Sequence, residues 1–340
     1  MNIYQIIHID ELSATPKYLQ LANSIINGVD AGSLDQDLLL PSINELSYEL
    51  EISRDTAEKA YKHLKKQQFL ESVPGKGYYI KKKVKGPQFR VFLLFNKLSA
   101  HKKIIFDALS NELGEQATID LYVYNNDFSL FKKIISQRRT DYTHYVIIPH
   151  FSENGEKAAE VINSLPLDKV ILLDKLVAGL EGPHGAVYEN FEEDIYTSLQ
   201  KAKEALSKYE VIKIVFPEYT YYPVDILKGF YHFCHEYAFT PRVVHEIEKE
   251  DIQKGEVYIS LMENDLVTLV EKIVAKGLKV GSEVGVISYN ETPLKKIILK
   301  GITTISTDFQ KKGVMTAKMI QSHQHEKIAV PFLLTIRPSI

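Results

Sequence analysis

Cysteine is almost absent from this sequence, and long apolar runs are missing altogether. Cys234 is the single cysteine, so an internal disulfide is excluded. No stretch approaches the roughly 18 consecutive apolar residues that a membrane-spanning helix needs. The first residues, "MNIYQIIHIDEL", have neither the basic start nor the small-residue cleavage site of a secretory signal. We therefore expect a cytoplasmic protein.

Motifs of the common enzyme classes are missing too. The sequence has no glycine-rich phosphate loop, no nucleophile elbow and no HExxH pair. "HFCHEY" at 232–237 brings two histidines and the cysteine together, but only His232 and His235 share a helix face. Packing is favoured over a metal site there, and "HQH" at 323–325 is expected to be solvated. We expect no enzyme activity, no cofactor and no metal.

The composition is that of a globular protein with an uneven charge distribution. Its 340 residues, 45% apolar and 25% charged, are enough for two or three domains. The net charge is −3, yet positions 54–85 contain ten Lys or Arg and three acidic residues. Such a basic segment suits phosphate contacts. A solvated Lys-rich face followed by a charged linker, "KKKVKG", remains an alternative.

The first 80 residues predict three helices and a hairpin. Pro16 suits a first helical turn, Ser42 with Glu45 forms a capping box, and Ser53 is a typical N-cap. The second and third helices are separated only by a tight turn, which indicates a helix-turn-helix. "PGKG" joins two strand-forming runs and predicts a wing.

From residue 89 the pattern changes to apolar strands alternating with amphipathic helices. Strands are predicted at "RVFLLF", "IDLYVY", "HYVIIP", "KVILLD", "VIKIVF", "EVYISL" and "EVGVISY", and helices at 102–113, 153–164, 192–208, 223–237 and 264–276. This alternation is typical of parallel sheets covered on both faces. We expect an α/β chain with a winged helix-turn-helix at 1–82, a linker at 83–88 and a two-lobed, doubly wound domain at 89–340.

The N-terminal segment resembles the winged helix-turn-helix of the GntR family of bacterial transcription regulators. The resemblance rests on "LPS" before helix two, "SRDT" opening helix three, "AYKHL" inside it, and "GKG" in the wing. The remainder is similar to the effector domain of LacI-type repressors and periplasmic sugar-binding proteins. "MENDLVTLVEKIVAKGLKV" and "SEVGVISYNETPLKKIILKGITTISTDFQ" carry that likeness. The combination resembles the arabinose-repressor subgroup, and fucose-responsive regulators of gut Bacteroidetes are similar.

The third helix, "SRDTAEKAYKHLKK", presents polar side chains at its N-terminal end. In a helix-turn-helix this end meets the base edges of the major groove. Arg54 suits guanine, and Lys59 and Lys76 suit phosphates. The family usually has Arg where this chain has Asn44 and Glu58. The predicted DNA-binding residues are Ser42, Asn44, Ser53, Arg54, Thr56, Glu58, Lys59, Gly75, Lys76 and Gly77.

Polar residues follow many of the predicted strands, among them Asn96, His150 and Glu218. Doubly wound sheets bind ligands at the carboxyl ends of their strands. The LacI-type resemblance implies that Asp174, Asn264 and Asn290 contact a sugar, with an amide at 290 where an acid is usual. The predicted effector-binding residues are His101, Lys102, Asp174, Asp225, Asn264, Asn290 and Glu291.

Together these patterns predict a homodimeric repressor of a sugar-utilisation operon. Its partners are double-stranded operator DNA and a small-molecule effector, a monosaccharide, bound between the lobes. A cytoplasmic sugar-binding module without DNA function remains an alternative, as does a regulator that responds to a metabolite other than a sugar.

Overall fold

The computed structural model describes residues 3–35, 37–81, 88–218 and 220–340. All of the predicted linker except Gln88 lies outside these ranges, and so does the predicted domain boundary at residue 82. The described residues form an N-terminal head and two lobes, each with its own hydrophobic cluster.

The head contains the predicted helices and hairpin, preceded by one short helix. Its elements are α1 (Ile3–Ile6), α2 (Lys17–Asp30), α3 (Ile43–Glu49), α4 (Arg54–Lys66), β1 (Leu70–Val73) and β2 (Gly77–Ile80). The capping box at α3 is confirmed: Ser42 Oγ accepts from the Glu45 amide at 3.2 Å, and the Glu45 carboxylate accepts from the Ser42 amide at 2.7 Å. Ser53 Oγ accepts from the Thr56 amide at 3.1 Å and so caps α4.

The wing is tied to the rest of the head by hydrogen bonds. The segment before α3 pairs with β2, because the Leu40 amide donates to Tyr78 O and the Ile80 amide donates to Leu38 O. The Tyr61 hydroxyl of α4 donates to Pro41 O at 2.7 Å. Helix α4 therefore has a fixed position relative to both the wing and the turn before it.

The rest of the chain forms two six-stranded sheets, each covered by helices. Lobe one contains β3 (Phe89–Phe95), α5 (Ala100–Leu113), β4 (Ala117–Val123), α6 (Phe128–Gln137), β5 (His144–Ile147), α7 (Ala158–Ile162), β6 (Val170–Asp174), β7 (Gly185–Tyr188), α12 (Phe309–Ser322) and β13 (Lys327–Ala329). Lobe two contains α8 (Phe191–Lys201), α9 (Lys203–Leu206), β8 (Val211–Val215), α10 (Asp225–Glu236), β9 (Thr240–Val244), β10 (Glu256–Ser260), α11 (Glu263–Ala275), β11 (Val284–Tyr289), β12 (Thr303–Thr307) and β14 (Phe332–Thr335).

The strand order is β13-β7-β6-β5-β3-β4 in lobe one and β14-β12-β11-β10-β8-β9 in lobe two. All pairs are parallel except β12 with β14. The chain crosses between the lobes after β7, after β12 and after β13. Helix α12 returns to pack on α5 of lobe one, and a Cβ on Gly313 would lie 2.6 Å from Ile105 O. Three connecting segments of the chain therefore join the two lobes, and we call this region the hinge.

Several predicted elements differ from the observed ones. The helix predicted at 153–164 is observed as a 3₁₀ turn at 155–157, which begins after the left-handed Asn154, followed by the five-residue α7. The helix predicted at 192–208 is divided at Ala202 into α8 and α9. No helix in the described part of the chain combines the length and the apolar character needed to cross a membrane.

Candidate DNA interface and effector cleft

The exposed N-terminal end of α4 carries the side chains predicted to read DNA. Ala57, Ala60, Tyr61 and Leu64 bury the opposite face of the helix. The Arg54 side chain is exposed and forms no hydrogen bond or ion pair with another described side chain, although its charge helps to lower the pKa of Glu58. Lys59 pairs with Asp55 at 2.6 Å. Exposed pairs of this kind are weak, so a phosphate can replace the carboxylate at little cost.

Two predicted DNA contacts take part in local structure. Glu58 pairs with Lys62 at 2.6 Å, and this pairing lowers the pKa of the Glu58 carboxyl. Glu58 therefore stays ionised and repels phosphates. The Glu45 carboxylate already occupies the Ser42 amide at the start of α3. Asn44, the second residue of α3, is exposed.

The wing tip projects from the same domain. Gly75 and Gly77 have φ values of 74° and 111°, in a region that favours glycine. No atom of the described residues lies within 4 Å of the place where a Cβ would stand on Gly75. Lys76 between them is exposed. The turn therefore presents one cation with open space beside its backbone.

A cleft of about 360 Å³ lies where the strands of both lobes end. This volume is in the range of small-ligand sites. Five of the predicted effector residues line it: His101, Lys102, Asp174, Asn264 and Asn290. Further lining residues include Asn96, Lys97, His150, Glu189, Phe191, Tyr221, Tyr222, Leu261, Met262, Glu263, Asp265, Tyr289 and Phe309.

Two of the predicted effector residues do not line the cleft. Asp225, in the first turn of α10, pairs with Lys228 at 2.6 Å. Glu291 accepts from Arg337 at 2.8 Å and from the Thr304 hydroxyl at 2.5 Å. Both carboxylates follow strands in the sequence, but each is paired with a neighbouring side chain of lobe two.

Asp174 is the centre of a buried network of charges. Its two oxygens each accept from a lysine at 2.6 Å, one from Lys102 of α5 and the other from Lys312 of α12. Lys312 also pairs with Glu189, which lies at the crossover after β7. His150 Nε2 lies 3.4 Å from Asp174. The network therefore connects the floor of the cleft to the hinge.

Burial and pairing have opposite effects on these groups. Burial alone would raise the pKa of Asp174, but Lys102 and Lys312 hold it well below its usual range. Burial lowers the pKa of Lys102 and of His150. For Lys312 the two carboxylates outweigh burial, and its pKa is raised. Asp174 and Lys312 therefore form an ion pair at neutral pH.

Five side chains that line the cleft carry a buried polar atom with no hydrogen-bond partner among the described residues. These atoms are Asn96 Oδ1, His101 Nε2, His150 Nδ1, Asp265 Oδ2 and the Tyr289 hydroxyl. Burial, followed by Lys295, lowers the pKa of His101 to about 4, so this ring is neutral at pH 7. Unpartnered buried polar groups are rare and call for an explanation. A ligand in the cleft supplies one.

Aromatic rings form much of the wall on the lobe-two side. Tyr221 and Tyr222 stack with centroids 4.7 Å apart, and Tyr222 meets Tyr289 edge to face. The Tyr222 hydroxyl donates to Leu261 O, and Asn290 Nδ2 lies 3.5 Å from that hydroxyl. Asn290 and Asp174 both have positive φ, 67° and 70°, at the ends of their strands. In each lobe, the backbone therefore turns away from the sheet at the residue, Asp174 or Asn290, whose side chain lines the cleft.

Sequence reasoning did not single out Lys312, Glu189 or Tyr289 as site residues. Lys312 is separated from Asp174 by 138 positions, so no local spacing connects them. Glu189 follows "GAVY", a strand of only four residues. Two of these residues are Gly and Ala, so the pattern of large apolar side chains that indicates a strand is missing. Asn96 and His150 were noted in the sequence as polar residues at strand ends, and both line the cleft.

The cluster at 232–237 does not converge. Cys234 lies in the core of lobe two, and burial raises its pKa to about 12. His232 is exposed and stacks on Tyr196 with centroids 4.6 Å apart. His235 is exposed as well. The histidines at 323 and 325 are exposed, as expected for solvated groups.

Comparison with known proteins assigns each part of the chain separately. Residues 17–80 match the family described as bacterial regulatory proteins, gntR family. The arabinose metabolism transcriptional repressor of Geobacillus stearothermophilus is 31% identical over 65 residues, which are 19% of this chain and 18% of the repressor. The chain thus spans less than a fifth of the curated relatives it matches.

Solved structures of LacI-type regulators are similar in fold over about three quarters of this chain. A LacI family regulator from Enterococcus faecium with bound ribose has a TM-score of 0.59 at 14% identity, covering 74% of this chain and 98% of that one. A dimeric Lac repressor with an 11-residue C-terminal deletion has a TM-score of 0.60 at 15% identity, with the same coverage. Residues 17–80 are a GntR-type winged helix-turn-helix, and the two lobes have the fold of LacI-type and periplasmic binding proteins.

Proposed function

We propose that this protein is a sequence-specific, DNA-binding transcriptional repressor of a sugar-utilisation operon, and that a sugar bound between its lobes controls it. The observation that carries the proposal is the union, in one chain, of a GntR-type head with a two-lobed domain whose cleft holds unpartnered polar atoms. The similarity of the head to an arabinose metabolism repressor, and of the lobes to a ribose-bound regulator, supports the same function.

The head binds DNA through α4 and the wing. Arg54, unpaired within the described residues, places its guanidinium fork on a guanine, while Lys59 and Lys76 bind phosphates. Base contacts specify sequence, whereas phosphate contacts supply affinity that weakens with salt. Asn44 and Glu58 stand where related heads have arginine, so the sequence this head reads differs from theirs.

The effector is an uncharged polyol rather than an anion. Lys102, which lines the cleft, and Lys312 behind it are already neutralised by Asp174 and Glu189. The third lysine, Lys97, donates to the Tyr221 hydroxyl at 2.5 Å and shares the cleft with the carboxylates of Glu263 and Asp265. With its Nε2–H directed at Asp174, neutral His150 presents Nδ1 as an acceptor, and Asn96 Oδ1 is another. Sugar hydroxyls donate to such acceptors, and the tyrosine wall packs on the ring. Hydroxyl donors therefore fit the cleft better than a phosphate ester does.

The active form is a homodimer on a two-fold related operator. One α4 and one wing cover a single half-site. Leu294, Ile297 and Ile298 of lobe two are 64%, 73% and 38% exposed. Exposed apolar groups close together mark interaction surfaces, and a second copy of the chain buries them. Sedimentation of the complex with operator should give two chains per duplex, and one chain per full site would refute this.

The proposal is tested in two steps on the full chain. Selection from random-sequence duplexes should enrich one two-fold related site, with affinity falling steeply as salt rises. Thermal shifts should then rank neutral pentoses and deoxyhexoses above their phosphate esters. Asn96→Ala and Asn290→Ala should remove the shift, while Glu218→Ala, an exposed strand-end residue outside the cleft, should keep it.

The other possible outcomes of these two experiments indicate other functions. Sugar binding without DNA selection indicates a sugar-binding module. DNA selection with no shift from any sugar indicates a regulator of a metabolite that is not a sugar. A flat salt response would contradict the assignment of phosphate contacts to the head.

A further inference from the structure

The head also contacts lobe one through a segment that precedes α2 in the sequence. We call residues 8–15, between α1 and α2, the arm. Its Ser13 pairs with Tyr122 in an antiparallel bridge on β4, the edge strand of lobe one. The Ala14 amide donates to Leu121 O at 2.6 Å. The Leu121 amide in turn donates to Thr15 Oγ1 at 2.7 Å.

The other side of the arm is fixed to the head. Gln20 of α2 is buried; its Oε1 accepts from the Asp10 amide at 2.8 Å and its Nε2 donates to Thr15 O at 2.7 Å. Ser24, also in α2 and buried, exchanges hydrogen bonds with the backbone of His8 at 3.3 and 3.2 Å. The arm is therefore bonded to α2 on one face and to β4 on the other.

Side chains of the head also contribute to this contact between the arm and lobe one. Leu12 of the arm packs against the hydrophobic cluster of lobe one. Asn23 of α2 lies beside Asp120, whose carboxylate accepts from the Tyr142 hydroxyl at 2.8 Å. Helix α2 packs in turn on α4, the helix that carries Arg54. A continuous series of contacts thus runs from the edge strand of lobe one to the DNA-reading helix.

We propose that the arm, docked on β4, fixes the head to lobe one and sets the spacing of the two heads in the dimer. The inference rests on the proposed function. With the arm docked, the second head of a bound dimer is held near its half-site, which raises its effective concentration there. With the arm released, fewer contacts fix the head to lobe one, and binding to a full site carries the free-energy cost of ordering the head.

The contact itself is tested by hydrogen exchange on the full chain. Thr15→Val keeps the shape of the side chain but removes the acceptor for the Leu121 amide, and Thr15→Ser keeps a hydroxyl. We expect peptides over 117–123 to exchange about tenfold faster in Thr15→Val, with Thr15→Ser like the wild type. Peptides over 89–95, an interior strand, serve as the internal control. Equal exchange in all three proteins would overturn the proposal.

The positioning role is tested with two duplexes, a full two-fold site and a single half-site. Thr15→Val should bind the full site about tenfold more weakly than Thr15→Ser, and both should bind the half-site equally. Equal loss on both duplexes would mean damage to the head, and no loss on either would mean a purely structural contact. Each result overturns the proposal. Hydrogen exchange reports on the arm even if the chain binds no DNA, so failure of the proposed function is recognised separately.

Discussion

Replacing Lys312 by Met should destabilise the lobes strongly, although the change removes a charge from the protein interior. Lys312 is fully buried and pairs with both Asp174 and Glu189. Met fills a similar volume but leaves Glu189 without that partner and Asp174 with Lys102 as its single lysine, beside His150. Removing one member of a buried ion pair costs about 3–5 kcal/mol, because the remaining charge is uncompensated.

A loss of this size is easily measured. Domains of this size lose roughly 2–4 °C in Tm per kcal/mol, so Lys312→Met should melt about 6–20 °C below the wild type. Lys318→Met is the matched control, since Lys318 lies on the same helix and is exposed. It should change the free energy of unfolding by less than about 0.5 kcal/mol.

A double-mutant cycle then separates the ion pair from simple packing. Asp174→Asn removes the carboxylate, so adding Lys312→Met should cost less in that background than in the wild type. The difference for contacting groups is about 0.5–3 kcal/mol. If the two substitutions are additive, or if Lys312→Met alone costs less than about 1 kcal/mol, the network does not stabilise the cleft as argued.

Three further predictions concern the head and the hinge. Arg54→Ala should cost about 1–3 kcal/mol of specific binding and flatten discrimination at one base pair, whereas Lys76→Ala should weaken all sequences alike; a panel of mutated operators distinguishes the two. Ser53→Ala removes the cap of α4 and should lower the free energy of unfolding of the head by about 1 kcal/mol, as denaturant melts measure. Burial, then Glu189, raises the pKa of Asp194 to about 7. The unfolded chain titrates this group near 4, at about its reference value, so native stability falls as pH rises from about 4 through 7. Asp194→Asn should therefore raise Tm most above pH 7, with a gain that shrinks towards pH 4, and a gain independent of pH would contradict this.

The head was predictable because its signals are local. Ser42 and Glu45 are three residues apart, and Ser53 precedes its helix directly, so the caps can be read without knowing the fold. The glycines at 75 and 77 mark a turn by the same kind of short-range rule. The arm was not predicted, since Ser13 and Thr15 meet a strand more than a hundred positions away.

The cleft was predictable only in part. Asp174 and Asn290 stand at strand ends, and the rule that ligands bind there located both correctly at the cleft. The same rule also selected Glu291, which pairs with Arg337 instead. Strand β12, "TTIST", was missed as an apolar run because its buried residues are mostly Thr and Ser. Strand β9 was not predicted because it contains Pro241, a residue that argues against a strand in a sequence pattern. An edge strand such as β9 tolerates proline.

The most direct test of the central claim is the operator affinity of the full chain with and without the sugar that gives the largest thermal shift. Fluorescence anisotropy on the selected full-site duplex measures it. Coupling between two sites is usually worth about 1–3 kcal/mol, so the sugar should weaken binding by about 5- to 150-fold. Asn290→Ala should bind the duplex like the wild type and lose the response. A sugar that stabilises the lobes yet leaves the Kd for the duplex unchanged would contradict the account.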